Sequence, residues 1–95
     1  MANTVRDNRS LHRFELDVDG HIAFAEYRRT PGLITFVHTV VPPELGGRGV
    51  GTTLAQGALG LVRAEGLKVA AECPFIAGFL KKHPEFNDLL ARPAG

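Results

Sequence analysis

The sequence predicts a mixed α+β fold, with an α/β crossover in its second half and elements in the order β-β-β-α-β-α. Three observations predict it. Apolar and polar residues alternate on both sides of Asp19-Gly20, a β-branched run over 33–41 ends at Pro42-Pro43, and the apolar period then lengthens from two residues to three or four before returning to two. The chain has 95 residues, 44% of them hydrophobic and 22% charged, which is the size and balance of a single compact domain.

Residues 1–10 are polar and mixed in charge, without apolar periodicity, and read as a flexible N-terminal tail; residues 91–95 read as a second tail, leaving 11–90 as the folded domain. Phe14, Leu16 and Val18 alternate with Glu15, Asp17 and Asp19, so the first strand has one apolar face. Asp19-Gly20 tolerates the positive φ of a tight hairpin and turns the chain into a second strand, about 21–29. Thr30-Pro31-Gly32 turns it again. The third strand, 33–41, is apolar on both faces, as a central strand covered on two sides would be.

From about 48 to 65, Val50, Leu54, Ala58, Leu61 and Val62 recur on one helical face, and Gly66 stops the helix. Leu67, Val69, Ala71 and Cys73 alternate with Lys68, Ala70 and Glu72 as a fourth strand, completing a β-α-β crossover. Pro74 suits a first helical turn, Phe75, Ile76, Phe79 and Leu80 form its apolar stripe, and Lys81 and Lys82 suit its C-terminal dipole. A last turn is expected around 86–90.

Eleven Lys and Arg against ten Asp and Glu give a net charge of +1, without the broad basic footprint that nucleic acid or an anionic membrane requires. A single cysteine, Cys73, forms no internal disulfide and no cysteine zinc cluster, which fits a reducing cytoplasm and a protein without a metal. No apolar run approaches the roughly 18 residues of a membrane span, and the first ten residues lack a secretory signal. A thin core makes a homodimer a natural way to add stability.

The segment with chemical content is Gly46-Gly47-Arg48-Gly49-Val50-Gly51, between the end of a strand and the start of a helix. Glycines let backbone approach a ligand, and the unpaired N–H groups and dipole of a helix N-terminus favour phosphate. A plain flexible turn is the competing reading. A Walker loop is excluded because no Gly-Lys-Ser or Gly-Lys-Thr follows, and a Rossmann fingerprint would want a small residue at Thr52 and a longer chain.

Val40-Val41-Pro42-Pro43-Glu44-Leu45-Gly46-Gly47-Arg48-Gly49-Val50-Gly51 resembles the acetyl-CoA pyrophosphate loop of the GNAT N-acetyltransferases. His38-Thr39, Gly66-Leu67-Lys68-Val69, Cys73-Pro74-Phe75 and His83-Pro84-Glu85-Phe86 are similar to the minimal single-domain, YjdJ-type branch of that superfamily, so the resemblance spans about 14–90. It implies a GNAT-like mixed sheet and direct acetyl transfer from acetyl-CoA to an amine, whose identity the sequence leaves open. The pyrophosphate would meet Gly46, Gly47, Arg48, Gly49, Val50 and Gly51, and backbone donors near Val40 and Val41 would face the thioester. Gly46 stands where the superfamily loop usually opens with Arg or Gln, and Val40 where the small branch commonly has Glu. Those departures favour the alternative, a non-catalytic acetyl-CoA or CoA-binding or sensing module.

His38 and Cys73 are the catalytic candidates. A histidine accepts a proton near neutral pH, and His38 directly precedes the expected cofactor edge. Cys73 directly precedes a Pro-initiated helix, whose N-terminus favours a thiolate. The bland readings are a packed strand histidine and a buried small apolar residue. Tyr27, the only tyrosine, reads as core.

Overall fold

A computed structural model describes residues 4–91. Its strands are β1 (Arg6–Asn8), β2 (Arg13–Val18), β3 (His21–Thr30), β4 (Leu33–Val40) and β5 (Lys68–Ala71); its helices are α1 (Val50–Ala64) and α2 (Pro74–Lys82). Short 3-10 turns occupy Pro43–Leu45 and Pro84–Leu89. The sheet order is β1-β2-β3-β4-β5, antiparallel through β4, with β5 parallel to β4. The α1 connection between β4 and β5 is the crossover that parallel pairing requires.

The β2–β3 hairpin closes at Asp19 (φ 53) and Gly20 (φ 81), both left-handed, bringing Val18 opposite His21. Phe14, Leu16 and Val18 share a face with Ala23 and Ala25, and all five are buried. Helix α1 lies across that face and inserts Leu54, Ala55, Ala58, Leu59 and Val62. Side chains such as Phe14, Phe36 and Leu16, with no exposed surface, each contribute about 2–3 kcal/mol through removal of apolar area from water. Helix α2 lies beside α1 and adds Ile76, Phe79 and Leu80.

Five sequence expectations change. First, the described part of the expected N-terminal tail is not loose. Residues 6–8 form β1 on the edge of the sheet, Val5 is buried, and its side chain fills the space over Gly57, where a Cβ would come within 2.4 Å of Val5 Cγ2. Polar bonds rather than apolar periodicity fix this strand. Asp7 accepts from the Tyr27 hydroxyl (2.5 Å) and from Arg29 (3.1 Å), while Asn8 donates to Glu15 (3.1 Å). Residues 1–3, and 92–95 of the expected C-terminal tail, lie outside the described residues.

Second, Glu15 occupies an outward position of β2 yet is 2% exposed, because Arg6 (2.8 Å), Arg13 (2.6 Å) and Asn8 close over its carboxylate. Third, β4 is central but its two faces differ. Ile34 and Phe36 are fully buried on the helix side, whereas the opposite face of the sheet carries exposed Asp17 and His38 and half-buried Ile22, Phe24 and Val40. Fourth, Phe75 leaves the apolar stripe of α2 and is 42% exposed. The expected fourth strand also ends early, at Ala71, for a reason that shapes the site.

Candidate functional site

Strands β4 and β5 pair from Leu33 opposite Lys68 to Phe36 opposite Ala71, and there they part. The Phe36 carbonyl accepts from both Glu72 N–H (2.8 Å) and Cys73 N–H (3.1 Å), which ends the ladder and turns the chain into α2. Val37 is an extra residue in β4, since Glu26 pairs with His38 while Tyr27 pairs with Phe36. Beyond this bulge β4 keeps only β3: Ala25 faces Thr39 and Phe24 faces Val40. Among the described residues no strand pairs with the other edge of Val37–Val40, so a slot opens in the sheet between β4 and the start of α2.

The bulge also decides which side chains point where. Thr39, in register with Ala25, faces the helices, and its Oγ1 lies 3.2 Å from Cys73 Sγ, with either atom able to donate. Cys73 is 3% exposed. His38, in register with Glu26, points to the opposite face and is exposed. The two catalytic candidates thus flank one slot from opposite sides of the sheet. Thr39 was missed in the sequence because only the bulge turns it toward Cys73.

The glycine loop follows directly. Buried Leu45 (1% exposed) anchors the 3-10 turn, and Gly46 N–H donates to the Pro43 carbonyl (3.0 Å). Gly46 itself has ordinary extended angles (φ −61), but Gly47 (φ 76) and Gly49 (φ 70) are left-handed. A Cβ at either would meet no atom within 4 Å, so these two glycines are required by backbone angle, and the space over them is open. Gly49 is the N-cap of α1 and no side chain caps it, leaving the first-turn N–H groups directed at that open space. Arg48, between the two glycines, is 48% exposed at its side chain and pairs with Asp19 at 2.9 Å.

Helices α1 and α2 meet here. A Cβ on Gly51 would lie 2.8 Å from Phe75 Cζ, so the Phe75 ring rests on the first turn of α1. A groove of about 300 Å³ runs along this junction, lined by Thr52, Phe75, Gly78, Phe79, Lys82 and His83. The His83 ring stacks on Phe79 at 4.0 Å, with Nδ1 3.3 Å from Glu85. These lining residues recur at helical spacing, a pattern indistinguishable in the sequence from a buried stripe.

Tyr27 takes no part. It is 3% exposed, and burial together with its hydrogen bond to the Asp7 carboxylate raises its pKa above the ordinary tyrosine value. Among the described residues no group of three or more His, Cys, Asp or Glu side chains is placed to hold a metal ion, and no helix is long and apolar enough to cross a membrane.

A single mixed sheet that parts beside a helix N-terminus defines the class. The sequence profile of the GCN5-related N-acetyl-transferase family matches residues 13–89, and the chain belongs to that family. The solution structure of a GCN5-like protein from Staphylococcus aureus, itself a candidate N-acetyltransferase, superimposes with a TM-score of 0.70 at 30% identity, covering 95% of this chain and 90% of that one. No curated protein matches the chain.

Proposed function

We propose that this protein is an acetyl-CoA-dependent N-acetyltransferase that passes an acetyl group directly to an amine. Family membership supports acetyltransferase activity in general. The observation that carries the finer reading is the continuity of two features: the slot left where β4 and β5 part, and the glycine loop with the uncapped N-terminus of α1 at the end of the same strand.

The residues fit such a donor. The left-handed glycines and uncapped N–H groups of residues 46–51 suit a pyrophosphate, with Arg48 as an added charged donor. The free edge of β4 at Val40 and at the adjoining Val41 offers backbone groups to an extended amide-bearing arm. The groove over Phe75 and Phe79 provides apolar contact, with Lys82 at its end. Acetyl-CoA, when bound, supplies an activated thioester; the protein supplies position and proton transfer.

In this reading the donor lies on the helix side of the slot, beside Thr39 and Cys73, and the amine approaches from the open face, beside His38. His38 takes the proton that the amine must lose to attack, directly or through one water. Backbone N–H groups near Val40 and Val41 stabilise negative charge developing on the carbonyl oxygen. The Cys73 sulfur would contact the leaving sulfur, with Thr39 fixing its orientation; acetylation of Cys73 itself would replace direct transfer by a two-step path. All of these groups come from one chain, so a homodimer would add stability rather than site residues. A lone cysteine and a ligand of central metabolism agree with a cytoplasmic location.

The second reading, a non-catalytic acetyl-CoA or CoA-binding or sensing module, is favoured by Gly46 and Val40, which leave the loop without an opening Arg or Gln and the slot without a carboxylate. Calorimetric titration with acetyl-CoA and CoA, against a Gly49→Asp variant, tests the site; an amine panel then tests transfer. Micromolar binding lost in the variant, followed by CoA release with an amine, supports the enzyme. Binding without release with any amine supports the module, and no binding by the folded protein overturns both.

A further inference from the structure

The β2–β3 hairpin turn and the glycine loop are joined by one ion pair, Asp19 Oδ2 to Arg48 Nη2 at 2.9 Å. Both ends are held by backbone geometry rather than packing. Asp19 sits in a two-residue turn at φ 53, followed by Gly20 at φ 81, and Arg48 is bracketed by Gly47 at φ 76 and Gly49 at φ 70. Both side chains are exposed, at 68% for Asp19 and 48% for Arg48, so water competes for each and the pair is easily broken. No other carboxylate pairs with Arg48 among the described residues.

We propose that Asp19 sets the affinity of the glycine loop for its anionic ligand by occupying Arg48 until a phosphate group displaces it. The inference rests on residues 46–51 being the phosphate site proposed above. The pyrophosphate of CoA carries two negative charges on adjacent phosphates against one on the carboxylate, and the uncapped N–H groups of α1 hold it in place, so it outcompetes Asp19 for Arg48. Breaking the Asp19–Arg48 pair is the cost that binding must meet, so Asp19 weakens binding through Arg48 alone. Asp19 is therefore an affinity-setting residue on a turn that sequence spacing places 29 positions from Arg48.

The test is titration with CoA at low ionic strength of the wild type, Asp19→Asn, Arg48→Ala and the double variant. Asn readily adopts left-handed angles, so Asp19→Asn removes the charge and keeps the turn; Asp19→Gly is a second variant free of strain. Asp19→Asn is expected to bind CoA about two- to fivefold more tightly, the range that one exposed ion pair commands. The gain is expected to fade at high salt and to vanish in the Arg48→Ala background. Unchanged or weaker binding by both Asp19 variants overturns the proposal, as does a gain that persists in full without Arg48, which would be plain charge repulsion. A wild-type protein that binds no CoA instead overturns the phosphate site itself, and the role of Asp19 falls with it.

Discussion

The Thr39 hydroxyl lies 3.2 Å from the Cys73 sulfur, bridging the slot that opens after β4 and β5 part. If Cys73 meets the thioester as proposed, that hydroxyl fixes the orientation of its sulfur. Cys73→Ala is expected to lower turnover about tenfold or more while costing only about 1 kcal/mol of stability, since it removes one buried atom. Thr39→Val is expected to reproduce part of the loss. Intact-mass analysis after exposure to acetyl-CoA separates the two roles of the sulfur: a Cys73-dependent acetyl adduct marks covalent transfer, and its absence with reduced turnover leaves Cys73 as a contact.

His38 stands on the other face, opposite Glu26 and exposed. If it takes the proton of the amine, His38→Ala should lower turnover about a hundredfold and leave CoA affinity unchanged. The separation of effects follows from the sheet, because His38 and the Thr39–Cys73 pair lie on different faces. Unchanged turnover removes His38 from the mechanism.

Much of this arrangement was legible in the sequence. The hairpin at Asp19-Gly20, the helix at 50–64, within two residues of its expected ends, and the glycine loop between strand and helix each follow from local rules of period and backbone angle. What was not legible depends on contacts far apart in the chain. β1 has no apolar alternation, and its order comes from Tyr27, Arg29 and Glu15 reaching Asp7 and Asn8, and from Val5 finding the missing side chain of Gly57. The parting of β4 and β5 depends on one carbonyl, Phe36, accepting two bonds, and the bulge at Val37 turns Thr39 inward; neither has a residue signature. Phe75 read as core because helical spacing records a face without recording what lies opposite it.

That misreading makes Phe75 testable. Its ring occupies the space a Cβ on Gly51 would need, with 2.8 Å between them, and its 42% exposure leaves solvent for it to shift into. Gly51→Ala should therefore fold, with the gain of an alanine in a helix offsetting the shifted ring to within about 1 kcal/mol. The displaced ring narrows the groove beside Thr52, so CoA affinity should fall while thermal stability changes little. Phe75→Ala should restore the space and relieve the effect of Gly51→Ala, less what the proposed contact of its ring with the ligand contributes. Additive losses in the double variant would show that the two residues act separately.

Glu15 is the group whose ionisation folding most clearly uses. Burial opposes its charge, but hydrogen bonds from Arg13 and Asn8 and the charges of Arg13 and Arg6 outweigh that opposition, holding its pKa below the ordinary 4.5. The unfolded chain thus binds this proton more readily than the folded one. The stabilisation from Glu15 is complete above about pH 5 and is lost as pH falls from the unfolded value through the folded one. Arg6, at 51% exposed, contributes less than Arg13 at 23% because solvent screens it. Glu15→Gln keeps the size of the side chain and removes the charge that three partners converge on. It should cost about 1–3 kcal/mol at neutral pH and flatten the acid limb of the stability curve, because no proton is then taken up on unfolding at this site. Urea midpoints measured from pH 7 to pH 3 give both values. A variant curve parallel to that of the wild type throughout would assign the acid sensitivity to other carboxylates.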